Sequence, residues 1–172
     1  RHGEAMALPF GDDEFDVAVM ALVIQYVPDR TKAMAEMRRV IRPGGTVAAY
    51  VWPTDEGHPQ QPLMDALERM GVAPRRTPGD QVRPVGALME LFDASGLADI
   101  AGRAMEFRLA FKDFDDYWAT QTAEARRQTF PNLTGTEVEK TKSSLRNTLP
   151  TDADGAIAYV ARANVVKGRV PE

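Results

Sequence analysis

GEAMALPFGDDEFDVAVMALVIQYVPDRTKAMAEMRRVIRPGG, residues 3–45, carries the punctuation of an α/β fold: polar loop, apolar run, turn, amphipathic stretch, Pro-Gly-Gly stop. Phe15 to Ile24 is almost continuously apolar rather than alternating, between Gly11-Asp12-Asp13 and Pro28-Asp29. That pattern predicts a central parallel strand covered on both faces. Asp29 or Thr31 suits the N-cap of a helix whose Ala33, Met37, Val40 and Ile41 recur at helical spacing. Arg38 and Arg39 stand at its cation-favouring end. Pro43-Gly44-Gly45 is expected to stop the helix and Thr46 to Trp52 to form the next strand, giving a right-handed βαβ unit.

Downstream, Thr54 to Pro62 is polar, and Leu63, Ala66, Leu67 and Met70 form a helical stripe before Gly71. Val72 to Pro84 contains Pro74, Pro78, Gly79 and Pro84 and reads as a loop over the carboxyl edge of the sheet. Gly86 to Ser95 is expected to be helical with Leu88, Leu91 and Phe92 inward, closed by Gly96-Leu97, the residue types of a left-handed cap and its apolar contact. Arg103 to Phe111 alternates, with Met105, Phe107, Leu109 and Phe111 on one side, as suits a half-exposed strand near a sheet edge. Phe114, Tyr117, Trp118, Gln121 and Ala125 share one helical face, and Thr136 with Glu139 has capping-box spacing for a helix to about Leu149. Residues 112–150 thus read as a helical insertion in a single domain over 1–172, and Ala156 to Val166 as the last strand.

Composition narrows the function classes. At 44% hydrophobic and 27% charged residues, the 172 residues suit one globular domain. A formal charge of −4 with dispersed basic residues leaves no footprint for nucleic acid. The absence of cysteine removes disulfides, thiolate metal ligands and a cysteine nucleophile, and fits a cytoplasmic protein. Two distant histidines without patterned carboxylates make no metal site. The longest apolar run, Val17 to Ile24, is well short of the roughly 18 residues of a membrane span, and no signal pattern opens the sequence.

Three blocks together, Gly3-Glu4-Ala5-Met6-Ala7-Leu8-Pro9-Phe10, Phe15-Asp16-Val17 and Glu36-Met37-Arg38-Arg39-Val40-Ile41-Arg42-Pro43-Gly44-Gly45, with the Leu91-to-Leu97 helix end, resemble the class I methyltransferases that use S-adenosylmethionine. The likeness is to the small-molecule branch that includes ubiquinone and menaquinone biosynthesis enzymes. It implies the C-terminal part of a Rossmann-like sheet: Phe15 to Ile24 as strand four, Thr46 to Trp52 as five, Arg103 to Phe111 as six. Ala156 to Val166 would be an antiparallel strand seven beside five, and the helical insertion would lie between the last two strands. No G-x-G-x-G occurs in the 172 residues. The resemblance therefore implies a truncated domain lacking three strand–helix units, on the order of 90 residues. It further implies weak cofactor binding by this chain alone and an unpaired apolar edge along Val17 to Ile24 that invites self-association.

The resemblance also suggests site residues. Glu4 and Ala5 match a pair, usually Asp-Ala, that contacts adenine, although Glu4 alone would read as a solvated loop acid. Met20, Ala21 and Gln25, at and beyond the end of the fourth-strand candidate, resemble positions around the methionine part of the cofactor, or simply pack. Gln25-Tyr26 replaces a frequent His pair, removing the obvious general base, so Tyr26 either orients an acceptor or packs beneath the loop. His58 is a candidate base or an exposed bystander. Trp52 is pocket wall or core, Tyr117 and Trp118 are expected to line an apolar acceptor pocket, and Phe114 to seat its helix. The expected activity is methyl transfer to a small apolar molecule. A non-catalytic methyltransferase-like interaction domain is the alternative, and a nicotinamide-dependent oxidoreductase half a more distant one.

Overall fold

In the computed structural model the Asp29 carboxylate accepts the Lys32 N–H at 2.9 Å and starts α1, Arg30–Val40. Capping by a short acidic side chain satisfies one of the free N–H groups of the first turn. The helix buries Ala33, Met34, Met37 and Val40 and places Arg38 and Arg39 in its last turn. Described are residues 1–54, 56–72, 78–123, 125–128 and 130–172, without the side chains of residues 127, 128 and 131. The loop proline Pro74 lies outside the described residues.

α1 joins two parallel strands, β1 (Phe15–Ala21) and β2 (Ile41–Val51), in register from Val17 opposite Thr46 to Ala21 opposite Tyr50. The chain continues through α2 (Gln61–Glu68), α3 (Val85–Ala94), β3 (Ala98–Phe111), α4 (Phe114–Gln121), α5 (Ala125–Gln128), α6 (Gly135–Thr148) and β4 (Ile157–Arg169). The sheet order is β1-β2-β4-β3, and β4 runs antiparallel to β2 from Thr46 opposite Arg169 to Val51 opposite Asn164. An α/β sheet with its last strand inserted antiparallel beside the second is the architecture the resemblance implies, and the alternating strand lies at the edge as its pattern predicts. Alternation in β3 is visible in its burial: Phe107 and Leu109 are half-buried and Phe111 buried, while residues 106, 108 and 110 are exposed.

Four local expectations change. β1 is an edge strand, paired on one side only among the described residues, as the resemblance implies and unlike the doubly covered strand that its apolar run predicts, so Phe15, Val17 and Val19 are 37%, 57% and 55% exposed. It also ends at Ala21: Leu22 turns left-handed at φ 57°, and Ile24–Tyr26 form a 3-10 turn. Pro43-Gly44-Gly45 lies inside β2, because the helix already ends as Ile41 becomes extended. The capping box is Thr134 with Glu137, two residues before the predicted pair; the Thr-x-x-Glu spacing occurs twice here, and the earlier threonine adopts the extended N-cap conformation. The left-handed cap at Gly96 is present at φ 71°, and Leu97 behind it is buried.

Two compact units share the chain. The first comprises Arg1–Asp55, Arg76–Met105 and Arg162–Glu172, with a core of β1, β2, α1 and α3 side chains including Met34, Ile41, Val47, Leu88 and Phe92. The second comprises Glu56–Arg75 and Glu106–Ala161 and closes around Leu63, Phe111, Tyr117, Leu145 and Ile157.

Gly45 sits where the β1–β2 register shifts between Phe15 and Val17. A Cβ there would stand 2.5 Å from Ile41 Cγ2 and 2.8 Å from the Asp16 carbonyl oxygen. Gly45→Ala is therefore expected to cost about 1–3 kcal/mol of stability by overpacking, read as a lowered urea midpoint at unchanged slope.

Candidate functional site

Residues 1–13 contain little regular structure, so their backbone polar groups need partners from elsewhere. The Ala7 N–H donates to the Glu4 carbonyl at 2.9 Å, closing a turn with Ala5 and Met6 at its tip. Gly3 packs directly on Pro9: a Cβ on Gly3 would lie 2.5 Å from Pro9 Cδ. Beyond the turn the irregular segment is held by α1. Glu36 Oε2 accepts the Leu8 N–H at 2.7 Å, and Arg39 donates to the carbonyls of Leu8 (3.2 Å) and Phe10 (2.9 Å) and to Asp12 Oδ1 (2.7 Å). Arg39 is also forked onto Glu36, at 2.8 Å from Nε and 2.8 Å from Nη2. Hydrogen bonding from Arg39, reinforced by the Leu8 amide and opposed by burial, holds the Glu36 carboxyl down at about 2. Hydrogen bonding to Glu36, then to Asp12, raises the Arg39 pKa.

The other half of this unit's candidate site lies at the carboxyl end of β1, where open α/β sheets bind ligands. Met20 is buried and Ala21 exposed. Leu22, a bulky residue in the left-handed region, is held there by its N–H to the Tyr50 carbonyl and by Gln25 Nε2 donating to the Leu22 carbonyl, each at 2.9 Å. Such backbone strain clusters at functional sites. Gln25 is buried, and its Oε1 has no hydrogen-bond partner among the described residues. Gly79 packs so closely on the Gln25 backbone that a Cβ would lie 2.3 Å from its carbonyl oxygen. Arg30 Nη2 donates to the Pro78 carbonyl at 3.2 Å, and Asn164 Nδ2 to the Arg83 carbonyl at 2.9 Å. Residues 78–84 therefore form the loop over the carboxyl edge that the sequence predicts. Tyr26 is exposed and Trp52 half-buried just past the end of β2. A groove of about 330 Å³ is lined by Ala5, Leu8, Phe10, Val17, Val19, Met20 and neighbouring residues, bringing the predicted Ala5 and Met20 to one apolar surface.

In the second unit, Tyr117 is fully buried against Phe111, Phe114 and Tyr159, and its hydroxyl has no hydrogen-bond partner among the described residues. Burial, then the neighbouring Tyr159, pushes the phenol pKa up. Tyr159 donates to the Pro59 carbonyl at 2.6 Å, and burial raises it to about 12. Trp118 stacks on Phe114 and Phe130, with the Lys142 ammonium 5.3 Å above its ring. His58 Nδ1 accepts the Gln60 N–H at 3.0 Å. That contact occupies the Nδ1 lone pair.

The Glu36–Arg39 pair escapes a reading of the sequence for chemistry. Its acid and base stand three apart on one helix face, the spacing of an ordinary surface pair, and the loop carbonyls that distinguish it are invisible in side-chain identities. Gln25 is singled out by sequence position, but its orphaned oxygen is known only from the fold. Among the described residues no group of three or more metal-ligating side chains occurs, and no helix is long and apolar enough to cross a membrane.

Comparison with known proteins agrees with the resemblance read from the sequence. Residues 1–49 match a family described as methyltransferase domain. A demethylmenaquinone methyltransferase from Bacillus velezensis is 50% identical over 46 residues, 27% of this chain and 20% of that protein. The chain spans about a fifth of the length of the first curated relatives it matches. Among solved structures, a protein described as a methyltransferase from an antibiotic biosynthesis pathway of Anabaena variabilis aligns at a TM-score of 0.55 and 18% identity, over 95% of this chain and 70% of that one. The YcgJ protein of Bacillus subtilis aligns at 0.51 and 18% identity, over 100% and 70%. The fold is thus that of the solved methyltransferase structure with which it aligns.

Because folding lowers the Glu36 pKa, its pairing contributes fully above the ordinary value near 4.5 and is lost as pH falls through about 2. Stability should decline over that window, and Glu36→Gln should flatten this part of the profile, as measured by denaturant midpoints against pH.

Proposed function

We propose that this chain supplies the adenine-side half of an S-adenosylmethionine site in a methyltransferase acting on a small, apolar acceptor. The observation that carries the reading is the Glu4–Ala7 turn beside a groove that Ala5 and Met20 line together. Glu4 offers a carboxylate to an exocyclic amine and Ala5 a backbone N–H to a ring nitrogen, the donor–acceptor pair an adenine edge requires. Met20 and Ala21 contribute backbone and apolar wall, and the unpartnered Gln25 Oε1 is an acceptor for a polar hydrogen of the bound group. Such an orphaned buried oxygen is a feature of this chain that suits a ligand rather than bare core.

The cofactor supplies an activated methyl on a sulfonium; the protein's part is to hold donor and acceptor in line and exclude water. Tyr26 and Trp52 are the proposed acceptor contacts in the first unit. In the second, Trp118 offers an aromatic surface and Tyr117 a hydroxyl. His58 and Tyr26 remain the candidates for moving a proton, with Tyr26 favoured because His58 Nδ1 is engaged as an acceptor. No G-x-G-x-G occurs in the 172 residues, so contacts to the carboxypropyl end are not supplied by that motif here, and binding by this chain alone should be weak. The exposed Val17 and Val19 along the outer edge of β1 support pairing of that edge with a second copy.

Titration of the chain with S-adenosylhomocysteine, followed by NMR, should perturb residues 4–5 and 20–25 with a Kd in the range of about 0.1–1 mM, and Glu4→Ala should weaken it about tenfold, the loss of one charged hydrogen bond. No perturbation at millimolar ligand sinks the cofactor reading, and micromolar affinity sinks the half-site reading. In sedimentation, the chain should self-associate with concentration and the Val17→Lys, Val19→Lys double variant should not; a strictly monomeric wild type refutes edge pairing.

A further inference from the structure

We infer that Glu36 and Arg39 are positioning residues that hold the Glu4–Ala5 turn in its ligand-binding form, an inference that rests on the methyltransferase reading above. All five N–H groups of the Arg39 guanidinium have acceptors: two on Glu36, and the Leu8 carbonyl, the Phe10 carbonyl and the Asp12 carboxylate. Glu36 accepts the Leu8 N–H as well, so both backbone polar groups of Leu8 are fixed by the pair. The Arg39 carbonyl takes the Asp13 N–H at 3.0 Å, extending the hold to the start of β1.

The clamp reaches the turn through Pro9. Leu8 and Phe10 on either side of Pro9 are tied to α1, and Pro9 in turn seats Gly3, the residue before Glu4. Arg1 Nη1 donates to the Pro9 carbonyl at 3.0 Å from the other side. Leu8 and Phe10 also line the groove with Ala5 and Met20, so the same clamp shapes the turn and the wall beside it. A turn already ordered in the free protein spares the ligand the entropy of ordering it. Only a planar fork serves this geometry, because lysine has one ammonium nitrogen where Arg39 reaches four partners through three.

Wild type, Glu36→Gln and Arg39→Lys of the full chain are compared under conditions where circular dichroism shows each folded. Two readouts are taken: amide hydrogen exchange of Leu8 against Leu88 and Phe92 of α3, and S-adenosylhomocysteine affinity by NMR. Expected are exchange at Leu8 faster by about tenfold or more with α3 unchanged, and affinity lower by about tenfold in both variants. Unchanged exchange at Leu8, or faster exchange with unchanged affinity, overturns the positioning role while leaving the cofactor reading intact. Absence of binding to the wild type overturns the cofactor reading, and the positioning role with it.

Discussion

The forked pair between Glu36 and Arg39 is the constraint on which this end of the molecule depends. A loop without secondary structure cannot pair its own backbone, and here a helix does so with two side chains one turn apart. Glu36 and Arg39 side chains are 19% and 32% exposed, and both also bind backbone. Arg42 with Asp16, at 63% and 69%, is the ordinary solvated pair that contributes little. Helix α1 therefore does two jobs at once, burying an apolar face in the first unit's core and lending its polar side to the loop.

The remaining polar irregularities of the first unit gather at the carboxyl end of β1. Leu22 is strained, Gln25 is buried with one oxygen unpartnered, and Gly79 leaves no room for a side chain. Each is costly in a purely structural role, and each lies where the sheet geometry offers a ligand its crevice. The loop at the turn and the cluster at the strand end are tied by β1 itself, whose Met20 faces the groove that Ala5 also lines.

The strands and the central helix were legible because hydrophobic period and Pro/Gly punctuation agree in this chain, and the antiparallel placement of the last strand followed from the resemblance. β2 buries Val47, Ala49 and Val51 in strict alternation, and Gly96 with Leu97 forms the cap its residue types suggest. What failed to show was what depends on neighbours. The apolar run of β1 by itself reads as doubly covered, and only the resemblance implied its open edge, because burial is decided by what pairs with it. Leu22 enters the left-handed region with no glycine or asparagine to announce it. The competing Thr134 and Thr136 caps differ by two residues, and only backbone conformation selects between them. Of the candidate site, the resemblance pointed to Glu4, Ala5, Met20 and Gln25, whereas the Glu36–Arg39 pair that holds the loop after Glu4 and Ala5 reads as an ordinary pair on a helix.

The pairing of β2 with β4 joins Thr46 to Arg169, far apart in the chain, while β1, α1 and β2 form a continuous local unit. Loop closure on that scale is entropically slow compared with assembly of a strand–helix–strand hairpin. The last strand is thus the natural final step of folding, and β2 stands as an open, aggregation-exposed template until β4 arrives. Val166 of this strand and Val170 just after it, which complete the first core, make chain termination just before Arg162 far more damaging than its distance from the binding turn suggests.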